Sequence, residues 1–258
     1  MEARLQPNVS GGGSVTSIAP GVWRCEIPAG AAGRYRLAQL DDYRAVPRSR
    51  FAWRPPLRLR LRARVSAESL PGTWGFGLWN DPFSVSLGLG GMARRLPALP
   101  NAAWFFYASP PNYLSFRDDL PAQGFLAATF CGARWPSVLL ALASPAMALT
   151  MLRGTADIAR RGLRWLVKQD AARLSLPIDG RSMTAWHTYS LTWRTAGVTF
   201  GVDEATVFET PISPHAPLSL VLWIDNQYAA LPPGGRLTYG FLANPQAAWL
   251  EIGDLCLG

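Results

Sequence analysis

Residues 186–211 of this 258-residue chain read WHTYSLTWRTAGVTFGVDEATVFETP and contain two runs in which apolar and polar side chains alternate. A period of two places every second side chain on the same face of a β-strand. The apolar residues that share a face are Tyr189, Leu191 and Trp193 in the first run and Val198, Phe200 and Val202 in the second. Thr195-Ala196-Gly197 lies between the runs, so this stretch predicts a β-hairpin.

The rest of the chain carries many short strand patterns bounded by Gly, Pro, Asn or Asp. The predicted strands are Val22–Ile27, Tyr35–Leu40, Leu57–Val65, Trp74–Asn80, Ala103–Ala108, Tyr113–Phe116, Phe125–Phe130, Leu218–Ile224, Arg236–Phe241 and Trp249–Leu257. Such frequent strand and turn signals favour a two-sheet sandwich. We expect one domain over residues 1–258, with residues 1–20 flexible because Gly11-Gly12-Gly13 interrupts regular structure.

One segment, at about residues 132–176, changes to a helical period and predicts an inserted helical hairpin. Its first part, SVLLALASPAMALTML, is almost wholly apolar, whereas its second part, TADIARRGLRWLVKQDAARL, is amphipathic. The basic side of the second part consists of Arg160, Arg161, Arg164 and Lys168. Two roles stay open: the hairpin covers the sandwich with its basic side in water, or residues 136–174 rest on an anionic membrane surface.

The net charge of +8 comes almost entirely from arginine, because Lys168 is the only lysine. Four of the arginines alternate with apolar residues in one predicted strand, which is typical of the solvated face of a sheet. They are Arg58, Arg60, Arg62 and Arg64. The signatures of the common nucleic-acid-binding modules are absent from the sequence, so we expect no nucleic-acid partner.

Cysteine and histidine usage argues against a metal site. The three cysteines, Cys25, Cys131 and Cys256, are odd in number and lack metal-ligand spacing, and the chain has only two histidines. We therefore expect neither a metal nor another cofactor. The first residues have no apolar core of a secretory signal, so we expect a cytoplasmic protein, membrane-associated if the inserted hairpin contacts a bilayer.

The sequence pattern of the hairpin, WH-x-Y-x-L-x-W followed by G-V-x-F-x-V-D, resembles the corresponding hairpin of glycoside hydrolase family 16 in the concanavalin A-like lectin/glucanase superfamily. Residues 71–83, PGTWGFGLWNDPF, and residues 249–257, WLEIGDLCL, look like two further strands of that family. The resemblance implies an all-β jelly-roll sandwich of two sheets. It also implies a catalytic strand with alternating carboxylates near residues 102–109. Because AAWFFYAS stands there, no catalytic residue can be carried over from the family.

Aromatic residues occupy the place of those carboxylates. Trp104 and Phe106 share one face of their strand, and one face of that strand should line the concave cleft if the resemblance holds. In LVLWIDNQYAA, Trp223 and Asp225 lie opposite a leucine-rich face. We predict ligand contacts from Trp74, Trp79, Asn80, Trp104, Phe106, Trp223, Asn226 and Tyr228.

Asp225 and Asp81 are the candidate catalytic residues, since each ends a strand beside an aromatic residue. Either aspartate can instead cap a turn through its own backbone. A buried Asp with a raised pKa can donate a proton, and aromatic faces stabilise developing cations.

The sequence thus favours a non-hydrolytic family 16-like protein that binds an apolar or amphiphilic small molecule in an aromatic cleft. If it is an enzyme, a lone carboxylate with aromatic walls suits acid/base chemistry of the cyclase, isomerase or hydratase kind. The first alternative is a carbohydrate-binding, lectin-like protein with a glycan-like ligand, or a divergent glycosidase. A further alternative is a membrane-associated structural protein.

Overall fold

The structure is a computed structural model that describes residues 4–44, 46–82, 95–136, 140, 156–175 and 182–258. The described residues form sixteen strands, one α-helix and a single 3-10 turn at Arg48–Arg50. The strands of the first half are β1 (Gln6–Ser10), β2 (Ser14–Ala19), β3 (Val22–Ile27), β4 (Leu37–Asp41), β5 (Leu57–Val65), β6 (Thr73–Trp79), β7 (Asn101–Ala108) and β8 (Gly124–Gly132). Helix α1 (Ala156–Leu166) follows, and then β9 (Val167–Arg173), β10 (His187–Arg194), β11 (Gly197–Val202), β12 (Ala205–Thr210), β13 (Ser219–Asp225), β14 (Gln227–Ala230), β15 (Thr238–Phe241) and β16 (Ala248–Leu257).

Two seven-stranded antiparallel sheets pack face to face, which confirms the predicted two-sheet sandwich. Sheet A has the strand order β1-β4-β13-β6-β7-β8-β9, and sheet B has the order β12-β11-β10-β5-β16-β3-β2. Strands β14 and β15 form a separate small sheet. The core between the large sheets takes every second residue from each strand, and among its fully buried members are Leu61, Phe76, Phe105, Leu191, Phe200 and Leu222.

The predicted hairpin is confirmed as strands β10 and β11 of sheet B. Its register pairs Leu191 with Phe200, and Arg194 with Gly197 at the turn. The six apolar residues of its inner faces are all buried. Strand β5, which lies beside β10, alternates between buried Leu and outward Arg, so the prediction of a solvated arginine face is also confirmed.

Sheet A differs from sheet B because its central strands are apolar on both faces. Every residue of β13 is buried, and so are all residues of β7 except Trp104, which is half-buried. A strand that is apolar on both faces needs cover on both sides. Loops and helix α1 supply this cover with Phe51, Leu99, Leu114, Phe116 and Leu166, which pack on the face of sheet A that looks away from sheet B. That face is called the outer face of sheet A below.

Two strands lie within residues 1–20, so the prediction of a flexible segment is wrong for these strands. Strand β1 pairs with β4 at the edge of sheet A, and β2 pairs with β3 at the edge of sheet B. The glycines between them form the crossing turn: Gly11 has φ +62°, and a Cβ there would lie 2.0 Å from the carbonyl oxygen of Tyr35. Glycine is required for this close approach, so the triplet joins two strands instead of marking a flexible lead-in.

The predicted helical hairpin is corrected in its second half. Helix α1 ends at Leu166, and residues 167–173 form edge strand β9 of sheet A. Arg160 was predicted on a solvated basic side, but its side chain is only 1% exposed. It donates to the carbonyl oxygens of Ser115 and Leu231 and pairs with Asp118, so it fastens α1 to the neighbouring loops. The predicted apolar helix falls mostly on residues 137–155, which, apart from residue 140, lie outside the described residues.

None of the helices in the described part of the chain has the length and hydrophobicity needed to cross a bilayer.

Candidate functional site

Five aromatic rings cover the middle of the outer face of sheet A. They are Trp79, Trp104, Phe106, Phe130 and Trp223, and together they are called the aromatic floor. The ring centroid of Trp104 lies 5.6 Å from those of Phe106 and Trp223 and 5.9 Å from those of Trp79 and Phe130. These separations are in the range of favourable aromatic contacts, so Trp104 is the centre of one continuous aromatic surface.

Two glycines in β6 explain how the indoles approach the sheet so closely. Gly75 pairs with Trp223, and Gly77 pairs with Trp104. A Cβ at Gly75 would lie 2.7 Å from Cη2 of Trp223, and one at Gly77 would lie 2.6 Å from the Cβ of Trp104. Both glycines therefore leave room for the side chains of neighbouring strands.

Asp225 lies on the same outer face, at the end of β13, and is held by a chain of hydrogen bonds. The indole Nε1 of Trp223 donates to Oγ1 of Thr73 over 3.0 Å, and that hydroxyl donates to Oδ1 of Asp225 over 2.7 Å. The Tyr35 hydroxyl also donates to the Asp225 carboxyl group. The backbone N–H of Gln227 adds a longer bond of 3.3 Å. The carboxyl group is therefore fixed beside the aromatic floor.

Burial raises the pKa of Asp225 to about 7, and the hydrogen bonds from Thr73, Gln227 and Tyr35 offset only part of this effect. Burial of the ring, and then the negative charge of the same carboxylate, raise the pKa of Tyr35 well above its ordinary value. Near neutral pH, Asp225 is therefore poised between its acid and its carboxylate forms. Such a group can both donate and accept a proton.

Asp81 lies at the opposite end of β6 and is not brought together with Asp225. Its carboxylate pairs with the guanidinium of Arg95, which also donates to the carbonyl oxygens of Tyr43 and Val46. Burial raises the pKa of Asp81 to about 6 against the attraction of Arg95. Because β6 separates the two aspartates by about 20 Å, they cannot act as the carboxylate pair of a glycosidase, which needs about 5–9.5 Å.

Three of the predicted ligand-binding residues have structural roles instead. Trp74 lies between the sheets, stacked on Tyr107 at 5.7 Å, because it alternates with the outward Gly75. The side-chain N–H of Asn80 donates to the carbonyl oxygen of Leu99, and its side-chain oxygen accepts from the backbone N–H of Asn101. Asn226, also fully buried, bonds the backbone of three residues, which are Arg34, Arg36 and Leu242.

The remaining predicted residues divide between two places. Trp79, Trp104, Phe106 and Trp223 lie in the aromatic floor. Tyr228 lies on β14 in the small sheet, opposite Gly240, and is not part of the aromatic floor.

Thr73 and Tyr35 are the members of the site that sequence reasoning missed. Thr73 is 152 residues from Asp225 in the chain, and Tyr35 belongs to a different loop. No local pattern connects such distant positions, and only the register of β6 with β13 places Thr73 opposite Asp225. Among the described residues there is no group of three or more side chains with the chemistry to hold a metal ion.

No protein-family profile matches this chain, and no curated protein matches its sequence. Among solved structures, the chain is similar to a glycoside hydrolase family protein from Mycobacterium thermorestibile, with 13% identity, a TM-score of 0.44, and coverage of 92% of this chain and 76% of that one. A legume lectin-like domain from Entamoeba histolytica has 8% identity and a TM-score of 0.47, with coverage of 98% and 89%. A mixed-linkage glucan GH16 protein from Bacteroides ovatus has 11% identity and a TM-score of 0.45, with coverage of 95% and 84%. Each of these similarities concerns the fold alone.

Proposed function

We propose that the outer face of sheet A binds an apolar or amphiphilic small molecule on the aromatic floor, with Asp225 as the acid/base group. The observation that carries this proposal is the juxtaposition of Trp223, Thr73 and Asp225: an aromatic wall and a carboxyl group, joined by hydrogen bonds. Ligand pockets with this composition use apolar contacts for affinity and a few polar groups for orientation.

Proton transfer to an alkene or a carbonyl is the chemistry that suits this arrangement. The carboxylic acid of Asp225 would donate a proton to the ligand, and the faces of Trp223 and Phe106 would stabilise the cation that develops. Loss of a neighbouring proton back to the carboxylate completes an isomerisation, and the same loss after a second alkene of the ligand has attacked the cation completes a cyclisation. Attack by water on the cation, followed by loss of the water's extra proton to the carboxylate, completes a hydration. A single carboxyl group suffices for each of these, so the distance of about 20 Å between Asp225 and Asp81 does not oppose them.

Deuterium incorporation tests this function without knowledge of the natural ligand. The protein is incubated in D2O with acyclic terpenoid alkenes, and deuterium in the recovered alkenes is measured by mass spectrometry. We expect Asp225→Asn to lower incorporation by about 10²–10⁴-fold, the usual contribution of a general acid. Asp254→Asn is the matched control, because Asp254 is an exposed carboxylate of sheet B that pairs with Arg62. Failure of the wild-type protein to incorporate deuterium or to retain any of these alkenes would contradict the proposal.

A glycan is the second ligand class, favoured by the half-buried indole of Trp104, which offers a face on which a sugar ring can stack. Titration with laminarin and lichenan oligosaccharides separates the two classes. Binding of these sugars that is lost in Trp104→Ala, together with no binding of terpenoids, would favour the lectin-like role. Release of reducing sugar would instead indicate a divergent glycosidase.

Membrane contact through residues 136–174 is a separate candidate, favoured by two exposed side chains of α1. Ile158 is 59% exposed and Trp165 is 80% exposed, and each lies about one helical turn from the exposed Arg161. An apolar side chain next to a cation suits the surface of an anionic bilayer. Flotation with vesicles of mixed neutral and anionic lipids should fall on Trp165→Ser and not on Tyr239→Ser, an equally polar change at an exposed site of the small sheet. Equal flotation of both variants would exclude α1 as the contact.

A further inference from the structure

Three basic residues come together at the corner of sheet A where β8 ends and β9 begins. Lys168 of β9 pairs with Cys131 of β8, and Arg134 follows Cys131 by three residues. Asn101 of β7 pairs with Cys131 from the other side, and its side-chain oxygen accepts from the backbone N–H of His215 over 2.9 Å. Lys168, Arg134 and His215 are called the basic cluster below.

The basic cluster has no carboxylate partner among the described residues. No ion pair in the described part of the chain includes any of its three members. Asp170 is the acidic residue of β9, but its carboxylate oxygens accept from the N–H of Ala171 at 3.0 Å and from the hydroxyl of Thr210 at 2.6 Å. Like charges that lie together without a counter-charge repel each other, so this corner favours an anion.

Two titratable groups at the same corner respond to both cations. Burial, and then the charges of Arg134 and Lys168, lower the pKa of His215. Burial raises the pKa of Cys131, and the charges of Lys168 and Arg134 oppose this rise. The imidazole of His215 is therefore neutral near pH 7, and it can donate one N–H to an anion that lies between the two cations.

Two exposed tryptophans border the basic cluster. Trp135 follows Arg134 directly and is 45% exposed, and Trp165 is 80% exposed. The N–H of Ala133 donates to the carbonyl oxygen of Leu166 over 2.8 Å, which places this segment alongside the end of α1. Indole rings favour the boundary between the polar and the apolar zones of a bilayer, at the level of the lipid headgroups.

We infer that the basic cluster binds the phosphate group of an anionic membrane lipid while Trp135 and Trp165 enter the membrane interface. This inference rests on the membrane contact through α1 proposed above, and it names the lipid group that the contact recognises. The planar guanidinium of Arg134 can donate two N–H groups to phosphate oxygens, and the ammonium of Lys168 supplies a second charge. A soluble phosphate ester would leave both indoles in water, so their exposure favours a lipid.

Flotation of the full chain with phosphatidylcholine vesicles, with and without phosphatidic acid, tests the inference. Each Lys or Arg near an anionic surface strengthens binding about 5-fold, so the cluster variant Arg134→Gln/Lys168→Gln should bind the acidic vesicles about 25-fold more weakly than wild type. The control variant is Arg58→Gln/Arg60→Gln, which removes the same net charge from two exposed arginines of sheet B. Its binding should stay within about 2-fold of wild type, because charges beyond a Debye length from the membrane are screened.

Glycerol 3-phosphate, which is the headgroup of phosphatidic acid without acyl chains, gives a second readout. The chain has only two histidines, so His215→Gln assigns the imidazole resonances of His215. Bound phosphate should raise the pKa of His215, because its negative charge offsets those of Arg134 and Lys168. The rise should be missing in the cluster variant.

The outcomes separate the inference from the membrane contact. Equal flotation of wild type and the cluster variant, with Trp165→Ser still impaired, would overturn the inference and leave the membrane contact standing. Equal losses in the cluster and control variants would also overturn it, because net charge alone would then explain binding. A rise in the pKa of His215 without flotation on phosphatidic acid would assign the site to a soluble phosphate ester instead of a lipid. Failure of the wild-type protein to float or to respond to glycerol 3-phosphate would contradict the membrane contact and the inference together.

Discussion

The outer face of sheet A is covered by a further layer of loops and by helix α1, whereas the outer face of sheet B lies largely in solvent. On sheet B, charged groups satisfy one another: Glu251 is fully buried and accepts from Nε of Arg24 at 2.8 Å and from Nε of Arg64 at 2.7 Å. The guanidinium of Arg64 also lies over the rings of Trp186 and Trp249. On sheet A, the buried carboxyl group beside Trp223, that of Asp225, has no cation among its hydrogen-bond partners.

This difference concerns the environment of the carboxyl groups on the two outer faces. A carboxylate that pairs with two arginines, as Glu251 does, contributes mainly to the structure. A carboxyl group that faces hydroxyls and aromatic rings is kept close to its neutral form by burial. The same sandwich therefore has one outer face with paired charges and one outer face that is covered by apolar residues and contains the buried Asp225.

The largest expected effect contrasts one aromatic residue of sheet A with one arginine of sheet B. Trp223→Ala should lower the free energy of unfolding by about 3–5 kcal/mol, because it leaves a cavity beside Phe106 and Trp104 and frees Oγ1 of Thr73. Arg60→Ala should change it by less than about 0.5 kcal/mol, since the side chain is exposed. Urea unfolding followed by circular dichroism measures both. Similar small losses for the two variants would mean that the outer face of sheet A is not a packed layer.

The next effect is a pH dependence that belongs to Asp225. Its pKa is about 7 in the folded chain and 3.8 for an ordinary aspartate, so the folded chain binds this proton more tightly than the unfolded chain. Stability from this group is fully present below pH 4 and is lost as the pH rises to 7, by at most about 4 kcal/mol. Asp225→Asn cannot ionise, so its stability relative to wild type should increase between pH 4 and pH 8.

Unfolding of Asp225→Asn and wild type in urea at pH 4.5 and pH 8 measures this change. Asp254→Asn on sheet B should give a curve parallel to that of wild type, because the exposed carboxylate is hydrated in both the folded and the unfolded states. A constant difference between Asp225→Asn and wild type across the range would mean that burial does not raise the pKa of Asp225.

The smallest effect compares a glycine from each sheet. A Cβ at Gly75 would lie 2.4 Å from the carbonyl oxygen of Phe105 and 2.7 Å from the Trp223 ring, so Gly75→Ala should cost about 1–3 kcal/mol. On β16, a Cβ at Gly253 would meet its nearest atom, of Val22, at 3.4 Å. Gly253→Ala should thus be neutral or slightly stabilising. Thermal unfolding of the two variants measures this difference in stability. Equal destabilisation by Gly253→Ala and Gly75→Ala would contradict the prediction.

Strands with strict alternation and apolar runs between turn residues, such as β7 and β13, were predictable from the sequence, whereas β1, β2 and β9 were not. The hairpin of β10 and β11 and the arginine strand β5 have one apolar and one polar face, so their period is visible locally. Strands β1 and β2 are largely exposed edge strands with few apolar residues, so they carry no comparable signal. Residues 167–173 lack apolar–polar alternation and continue the helical period of the preceding residues, so only their pairing with β8 identifies them as a strand.

The site was predictable only where one strand defined it. The placement of Trp223 and Asp225 opposite the leucines of β13 followed from alternation alone. Alternation alone did not place Trp74 correctly. Its side chain points into the core between the sheets, and the outer face of β6 carries Gly75 and Gly77. Those glycines are explained by the indoles of β13 and β7, and such contacts between strands far apart in sequence leave no local pattern.

Strand β16, the latest in the chain, lies in the interior of sheet B between β5 and β3. During synthesis, β3 and β5 therefore emerge long before the strand that joins them, and their inner edges stay unpaired until residues 248–257 leave the ribosome. Exposed strand edges invite intermolecular pairing, and sheets closed by such distant contacts fold slowly. The arginines of β5 carry positive charge beside the edge that later pairs with β16. The residues that face solvent in the folded sheet therefore also oppose aggregation of the nascent chain.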